Sequence, residues 1–207
     1  MVHGDERCIR ADTVYPHPTI ERDEMRDATL CHLVREARSR SRAEGSRDDE
    51  TRSVSNHASS ERAEPAEHDT TLLIHKKRGV GSDQYVGPGG KVEPGETPRE
   101  CVVREVEEEV GIRVRDPVKA GEFEYYSDDW NALVHVYRAT EFDGDPRETE
   151  EAIPEWFPVD DLPFANMWAT DRDWLPTVLA GGTFRGRFIY HGGVPRLVEV
   201  ETGVTFE

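Results

Sequence analysis

The chain has 207 residues, a formal net charge of −17, and 35% hydrophobic against 33% charged residues, so any core occupies only part of it. That surplus of acid argues against general affinity for a nucleic-acid polymer or an anionic membrane, both of which need a basic surface. The three cysteines have neither metal-ligand spacing nor an even-numbered framework and read as reduced intracellular thiols, and no apolar run nears the roughly 18 residues of a membrane span.

Residues 1–24 carry many charges and little periodicity, which reads as a disordered tail without the apolar core of a signal peptide. The chain is therefore expected to be cytoplasmic, with Met25 a candidate natural start. The first strand pattern is Ala28–Val34. From Arg35 to Asp69 the chain is mostly Arg, Ser, Glu and Asp and cannot bury enough to order itself. It reads as a hairpin insertion, because each doubling of a flexible loop costs only about 0.6 kcal/mol. The second strand, Thr70–His75, leads into Lys76-Lys77-Arg78-Gly79. The domain thus runs over 25–207, interrupted at about 35–69.

A glycine run, Gly87-Pro88-Gly89-Gly90, follows, and such a run suits close approach of backbone to a ligand. Three of the four lysines, Lys76, Lys77 and Lys91, flank it and concentrate positive charge there. Thr97 then caps a helix, with Pro98 at its first position, Glu100 completing a capping box and Gly111 as the stop. Val102, Val103, Val106 and Val110 form its apolar stripe.

Beside that stripe lie Glu105, Glu108 and Glu109, at i, i+3 and i+4, so their carboxylates are expected to converge. A solvated charge run is the plain alternative. Against it, anions in the C-terminal half of a helix oppose the macrodipole by roughly 0.3–1 kcal/mol each. Like charges at this spacing repel by a further 0.2–0.5 kcal/mol or so per pair. A divalent cation reverses both penalties, and clustered carboxylates suit Mg²⁺ or Mn²⁺. Arg104, one turn before Glu108, is placed to hold it.

Strand patterns follow at Gly121–Tyr126 and Ala132–Thr140, with Asp128-Asp129 turning between them. An acidic loop, Glu141–Glu151, leads to a short strand entered at Glu155–Pro158. Leu162–Trp168 reads as a connector and Asp171–Leu179 as a helix stopped by Gly181-Gly182. Two last strands, Thr183–Tyr190 and Pro195–Glu201, flank a turn at His191-Gly192-Gly193. Strands closing on one another with helices on either face make an α/β/α sandwich around a mixed β-sheet.

Gly90, five residues, Glu96, seven residues, then Arg104-Glu105-Val106-Glu107-Glu108-Glu109-Val110-Gly111-Ile112 resembles the Nudix box at every defined position. The resemblance implies the same sandwich fold, Mg²⁺ (or Mn²⁺) on Glu105, Glu108 and Glu109, and Arg104 orienting them. Beyond the box, Lys76–Gly81, Trp156-Phe157 and Phe164–Asp171 with Trp174 look like the MutT-homologue branch, its mammalian form above all. That branch destroys oxidised purine nucleoside triphosphates, 8-oxo-dGTP among them. Its pattern implies that Trp168 stacks on the purine, Asp171 grips the base edge, and Thr29 and Lys76 line the pocket. It also implies that Glu151 completes the metal site from a loop. Gly89, Gly90 and Lys91 are expected at the phosphates. The expected partner is a small-molecule nucleotide bound by a monomer.

The chain departs from the branch at Val86, where an asparagine would read the base, at Thr170 in place of an aspartate, and at Val80 and Tyr125 in place of phenylalanines. Those departures weaken the expected preference for the oxidised base. The box alone fits other Nudix substrates, such as ADP-ribose or dinucleoside polyphosphates, equally well. A non-catalytic nucleotide-sensing module would have no need of the full carboxylate set.

Overall fold

The computed structural model describes residues 7–11 (main chain only), 25–37, 68–79 and 81–206. The remainder of the expected tail and most of the expected insertion lie outside these residues. The strands are β1 (Arg7–Ala11), β2 (Arg26–Arg35), β3 (Thr70–Lys76), β4 (Tyr85–Val86), β5 (Arg113–Arg115), β6 (Val118–Tyr126), β7 (Asn131–Ala139), β8 (Glu141–Asp143), β9 (Ala152–Pro158), β10 (Phe184–His191) and β11 (Val194–Thr202). Among the described residues, two α-helices, α1 (Pro98–Val110) and α2 (Asp171–Leu179), join them, with a 3₁₀ turn at Phe164–Asn166.

Nine strands form one mixed sheet, in the order β1-β11-β10-β6-β7-β2-β3-β4 with β9 also on β3. The β6–β10 and β2–β7 pairs are parallel and the others antiparallel. The strands β2 and β3 pair only at Val34↔Thr71 and Arg35↔Thr70, next to the long connection between them.

Period-two alternation sends successive residues to opposite faces and so builds two cores. On one side, Cys31, Leu33, Leu72 and Ile74 pack under Val102, Val106 and Val110 of α1. On the other, Ala28, Val34, Leu73, Val134 and Val136 meet Trp174, Leu175 and Val178 of α2, with Phe123, Phe184 and Phe188. Each Val, Leu, Ile or Phe among them contributes roughly 1.5–3 kcal/mol of burial. These two cores on opposite faces of one sheet are the expected α/β/α sandwich.

Helix α1 has the boundaries its capping residues dictate. The Thr97 backbone N–H donates to Glu100 Oε2 at 2.8 Å, and the Glu100 backbone N–H donates back to Thr97 Oγ1 at 3.3 Å. At the other end Gly111 takes φ 75°, a left-handed value that a Cβ disfavours. The next carbonyls in line are met by a loop: Arg147 N–H donates to Val110 O, and Thr149 Oγ1 donates to Glu109 O, both at 2.9 Å. Those bonds dock the segment that carries Glu151 against the end of α1.

Two expectations need correction. Within the expected tail, the main chain of Arg7–Ala11 pairs with Leu197–Glu201 as an edge strand, because β11 otherwise leaves a row of backbone donors and acceptors open. The expected acidic loop begins as strand β8, which pairs with β5. There Glu141 and Asp143 point outward around half-buried Phe142, and Arg115 Nη2 lies 2.5 Å from Asp143 Oδ2. Opposite charges across the pair hide a strand inside what reads as a run of acids.

Candidate active site

The glycine run lies alongside β2, with Thr29 N–H donating to Gly90 O and Cys31 N–H to Pro88 O, both at 2.8 Å. Close approach demands glycine here, since a Cβ on Gly89 would lie 2.1 Å from Thr29 O. The run lays Lys91 opposite Ala28 and brings the box residues against the inner half of α1.

Arg104 is the hub of that surface. Its guanidinium donates to Glu96 (Nη2–Oε1 2.6 Å, Nε–Oε2 3.1 Å), Glu105 (Nη1–Oε1 2.9 Å) and Glu108 (Nη1–Oε2 3.1 Å). The hydrogen bond from Arg104 holds the Glu96 carboxyl down at about 2, and the bonds to Glu96 in turn lead the upward shift of Arg104. Glu109 is buried; it accepts from the Gly89 N–H at 2.8 Å, and Lys76 Nζ lies 3.5 Å away. Burial pushes its carboxyl up to about 6 against the pull of Lys76. Burial also raises Glu105, with Arg104 opposing. Glu108 and Glu151 have 61% and 48% of their side chains exposed, so they are the most open to solvent of the four expected cation ligands.

Glu105 and Glu108 meet on one nitrogen of Arg104, as their helical spacing leads one to expect, while Glu109 is drawn toward Lys76. Among the described residues no three acidic, histidine or cysteine side chains close into a cation cage. Each instead leans on a basic neighbour: Glu105 and Glu108 on Arg104, Glu109 on Lys76, and Glu151 on Arg78. Four anions that close repel one another, and the guanidinium and ammonium groups offset that repulsion. The donor set nevertheless fits a hard divalent cation, being oxygen throughout and borne on one helix face and the loop docked against its end.

Next to this surface opens a cavity of about 510 Å³. Its charged lining is Lys76, Arg78, Lys91, Glu151 and Asp171, and its aromatic lining includes Tyr125, Trp130, Trp168 and Trp174. Trp168 is half-buried and braced edge-on by Tyr125 and Tyr190, with ring centroids 6.0 and 5.8 Å away. Asp171 is buried at the N-terminus of α2, and that burial pushes its carboxyl up to about 7. Thr170 also borders the cavity, but its hydroxyl is engaged with Tyr190 Oη at 3.0 Å.

Most of the residues singled out in the sequence therefore surround one cavity or the α1 surface beside it. Thr29 is the exception in detail. It borders the cavity, yet its hydroxyl donates to Gly90 O and lies 3.4 Å from Cys101 Sγ, on the α1 side of β2. Val86 and Tyr125 border the cavity as expected, and Val80 lies outside the described residues. Sequence reasoning missed Arg78, Trp130 and His32. His32 alone carried a signal, as a polar residue on an apolar face of β2.

The NUDIX domain family matches residues 63–178, more than half of the chain. The oxidized purine nucleoside triphosphate hydrolase of Danio rerio is 41% identical over 123 residues, covering 58% of this chain and 79% of the relative. The 8-oxo-dGTP diphosphatase of Escherichia coli is 37% identical over 84 residues, covering 38% of this chain and 65% of the relative. A crystal structure of a MutT protein from Bacillus halodurans superposes with a TM-score of 0.60 at 25% identity, covering 84% of this chain and 97% of that one. The chain belongs to the NUDIX family. Within it, it is a pyrophosphohydrolase of the MutT branch. Hydrolases of this family generally use divalent metal ions. No helix among the described residues is long and apolar enough to cross a membrane.

Proposed function

We propose that the protein hydrolyses oxidised purine nucleoside triphosphates, 8-oxo-dGTP foremost, to the monophosphate and pyrophosphate, and so cleanses the nucleotide pool. The observation that carries this is the juxtaposition of an aromatic-walled cavity with the box carboxylates across a basic border of Lys76, Arg78 and Lys91. The cavity's aromatic side chains suit a purine, and its basic ones suit a chain of phosphates. The names of the Danio rerio and Escherichia coli relatives support the same substrate class.

In this scheme Trp168 stacks on the base and Asp171 hydrogen-bonds its edge. Lys76 and Lys91 meet phosphate oxygens as point charges. Glu105, Glu108, Glu109 and Glu151 would hold Mg²⁺, with Mn²⁺ a chemical substitute, and Arg104 keeps Glu105 and Glu108 in place. The bound cation supplies neutralisation of the charge gathering on the anhydride oxygens and a site for the attacking water. The attacking water must lose a proton, and Glu108 and Glu151, the more solvent-open of the four carboxylates, are the candidates to accept it.

The test is kcat/KM for 8-oxo-dGTP, dGTP, dATP, ADP-ribose and a dinucleoside tetraphosphate side by side with Mg²⁺. An oxidised purine triphosphate should lead. A tenfold or greater lead for ADP-ribose or the dinucleotide, about 1.4 kcal/mol in transition-state binding, would rule the assignment out.

A further inference from the structure

Strand β2 sets Ala28, Leu30 and Val34 toward the α2 side and Cys31 and Leu33 toward the α1 side. The same alternation puts His32 on the α2 side, at a position where an apolar side chain would complete the core. His32 is 1% exposed, and neither Nδ1 nor Nε2 has a hydrogen-bond partner in the protein. Leaving a buried polar group unpaired costs roughly 1–3 kcal/mol, and a leucine there would not incur it. The ring meets Trp174 edge-on, with centroids 5.6 Å apart.

Its location gives the cost a purpose. His32 borders the large cavity together with Val86, Gly87, Asp171 and Trp174. Gly87 is pressed against the ring: a Cβ there would come within 2.9 Å of His32 Cε1 and 3.2 Å of Nε2. The imidazole thus lies under the Val86–Gly87 segment, where Val86 presents only methyl groups. Burial pushes the ring down to about 4, so near neutral pH it carries one N–H donor and one acceptor. The ring therefore lines the cavity while both its nitrogens are buried and without a partner in the protein.

We infer that His32 is a specificity-determining residue of the nucleotide site, its imidazole hydrogen-bonding the edge of the bound purine beside Asp171 where Val86 has no polar atom to offer. The inference rests on the purine triphosphate assignment above.

The test uses the full chain with Mg²⁺ and four substrates: 8-oxo-dGTP, dGTP, dATP and the triphosphate of unsubstituted purine riboside. H32L and H32M, both apolar, guard against a single variant that fails to fold. Each should lower kcat/KM about tenfold on the substituted purines, mainly through KM, and less than about twofold on the unsubstituted one. H32Q keeps a donor and an acceptor and should restore part of the discrimination. Melting temperatures of the apolar variants should stay level or rise. A purely structural histidine would lower all four substrates together or leave their ratios unchanged, and either result overturns the inference. If wild type turned over none of the four, the purine assignment would fall and this inference with it. Wild-type turnover with unchanged ratios in the variants would remove only the role given to His32.

Discussion

Gly90 faces the Glu105 carboxylate so closely that a Cβ on Gly90 would lie 2.3 Å from Glu105 Cδ and Oε1. The box glycine is therefore a matter of space more than of flexibility. Gly90→Ala should force Glu105 off Arg104 and out of the carboxylate set while the strands and helices persist. A misplacement on the order of 1 Å near the chemistry can cost about a hundredfold in turnover, and a loss of that order is expected here. Circular dichroism and kcat measured together check it; full activity in a folded variant would show that Glu105 has room to spare.

Glu108 is the most exposed of the three helix carboxylates and is held by Arg104 through a 3.1 Å bond. Glu108→Gln preserves size and removes one negative charge. Turnover with Mg²⁺ should fall by orders of magnitude with little change in melting temperature, because a single exposed ion pair contributes only about 0–1 kcal/mol. Wild-type rates in this variant would take Glu108 out of the catalytic set.

Burial sets the ionisation of Asp171, raising its carboxyl to about 7 against opposition from the Trp168 backbone and Trp174. The folded state therefore holds this proton more tightly than the unfolded chain does. The stability it lends is complete below the ordinary aspartate range and is lost as pH rises through about 7. Asp171→Asn removes this titration. The stability difference, wild type minus variant, should fall between pH 5 and pH 8 by on the order of 2 kcal/mol, several degrees in Tm. Thermal melts across that range decide it, and a flat difference would mean that solvent or neighbouring groups keep the carboxyl ordinary.

Local chemistry made parts of this fold legible. Thr97, Pro98, Glu100 and Gly111 carry the limits of α1 in their own side chains and backbone preference, and the structure places the helix within them. The Asp171–Leu179 helix and the strands β6, β7, β10 and β11 follow from apolar periodicity broken by glycine or paired aspartates. What stayed hidden depends on partners distant in sequence. The strand character of Glu141–Asp143 exists only because Arg113–Arg115 lies beside it. Glu151 finds Arg78 because Thr149 and Arg147 dock the loop on the end of α1. The carboxylate spacing gave the right helix face but could not show that Glu105 and Glu108 share Arg104 while Glu109 leans on Lys76 and Glu151 on Arg78.

The base pocket yields the last prediction. Trp168 is held edge-on by Tyr125 and Tyr190 and borders the cavity, so it offers a surface that any purine can stack on. Stacking of a base on an aromatic side chain is worth about 1–3 kcal/mol and tolerates every base. Trp168→Ala should therefore raise KM for all purine triphosphates together, by roughly tenfold or more, without reordering them. Val86 also borders the cavity but contributes only methyl groups next to Gly87. Val86→Asn adds a donor and an acceptor at the same depth, and a site with matched polar partners penalises a base that leaves them unpaired. The preference for 8-oxo-dGTP over dGTP should widen in Val86→Asn, by about fivefold to tenfold if one new hydrogen bond forms. Competition between the two nucleotides in a single reaction measures that ratio directly. A ratio that stayed the same, or a Trp168→Ala effect confined to one base, would place the base elsewhere in the cavity.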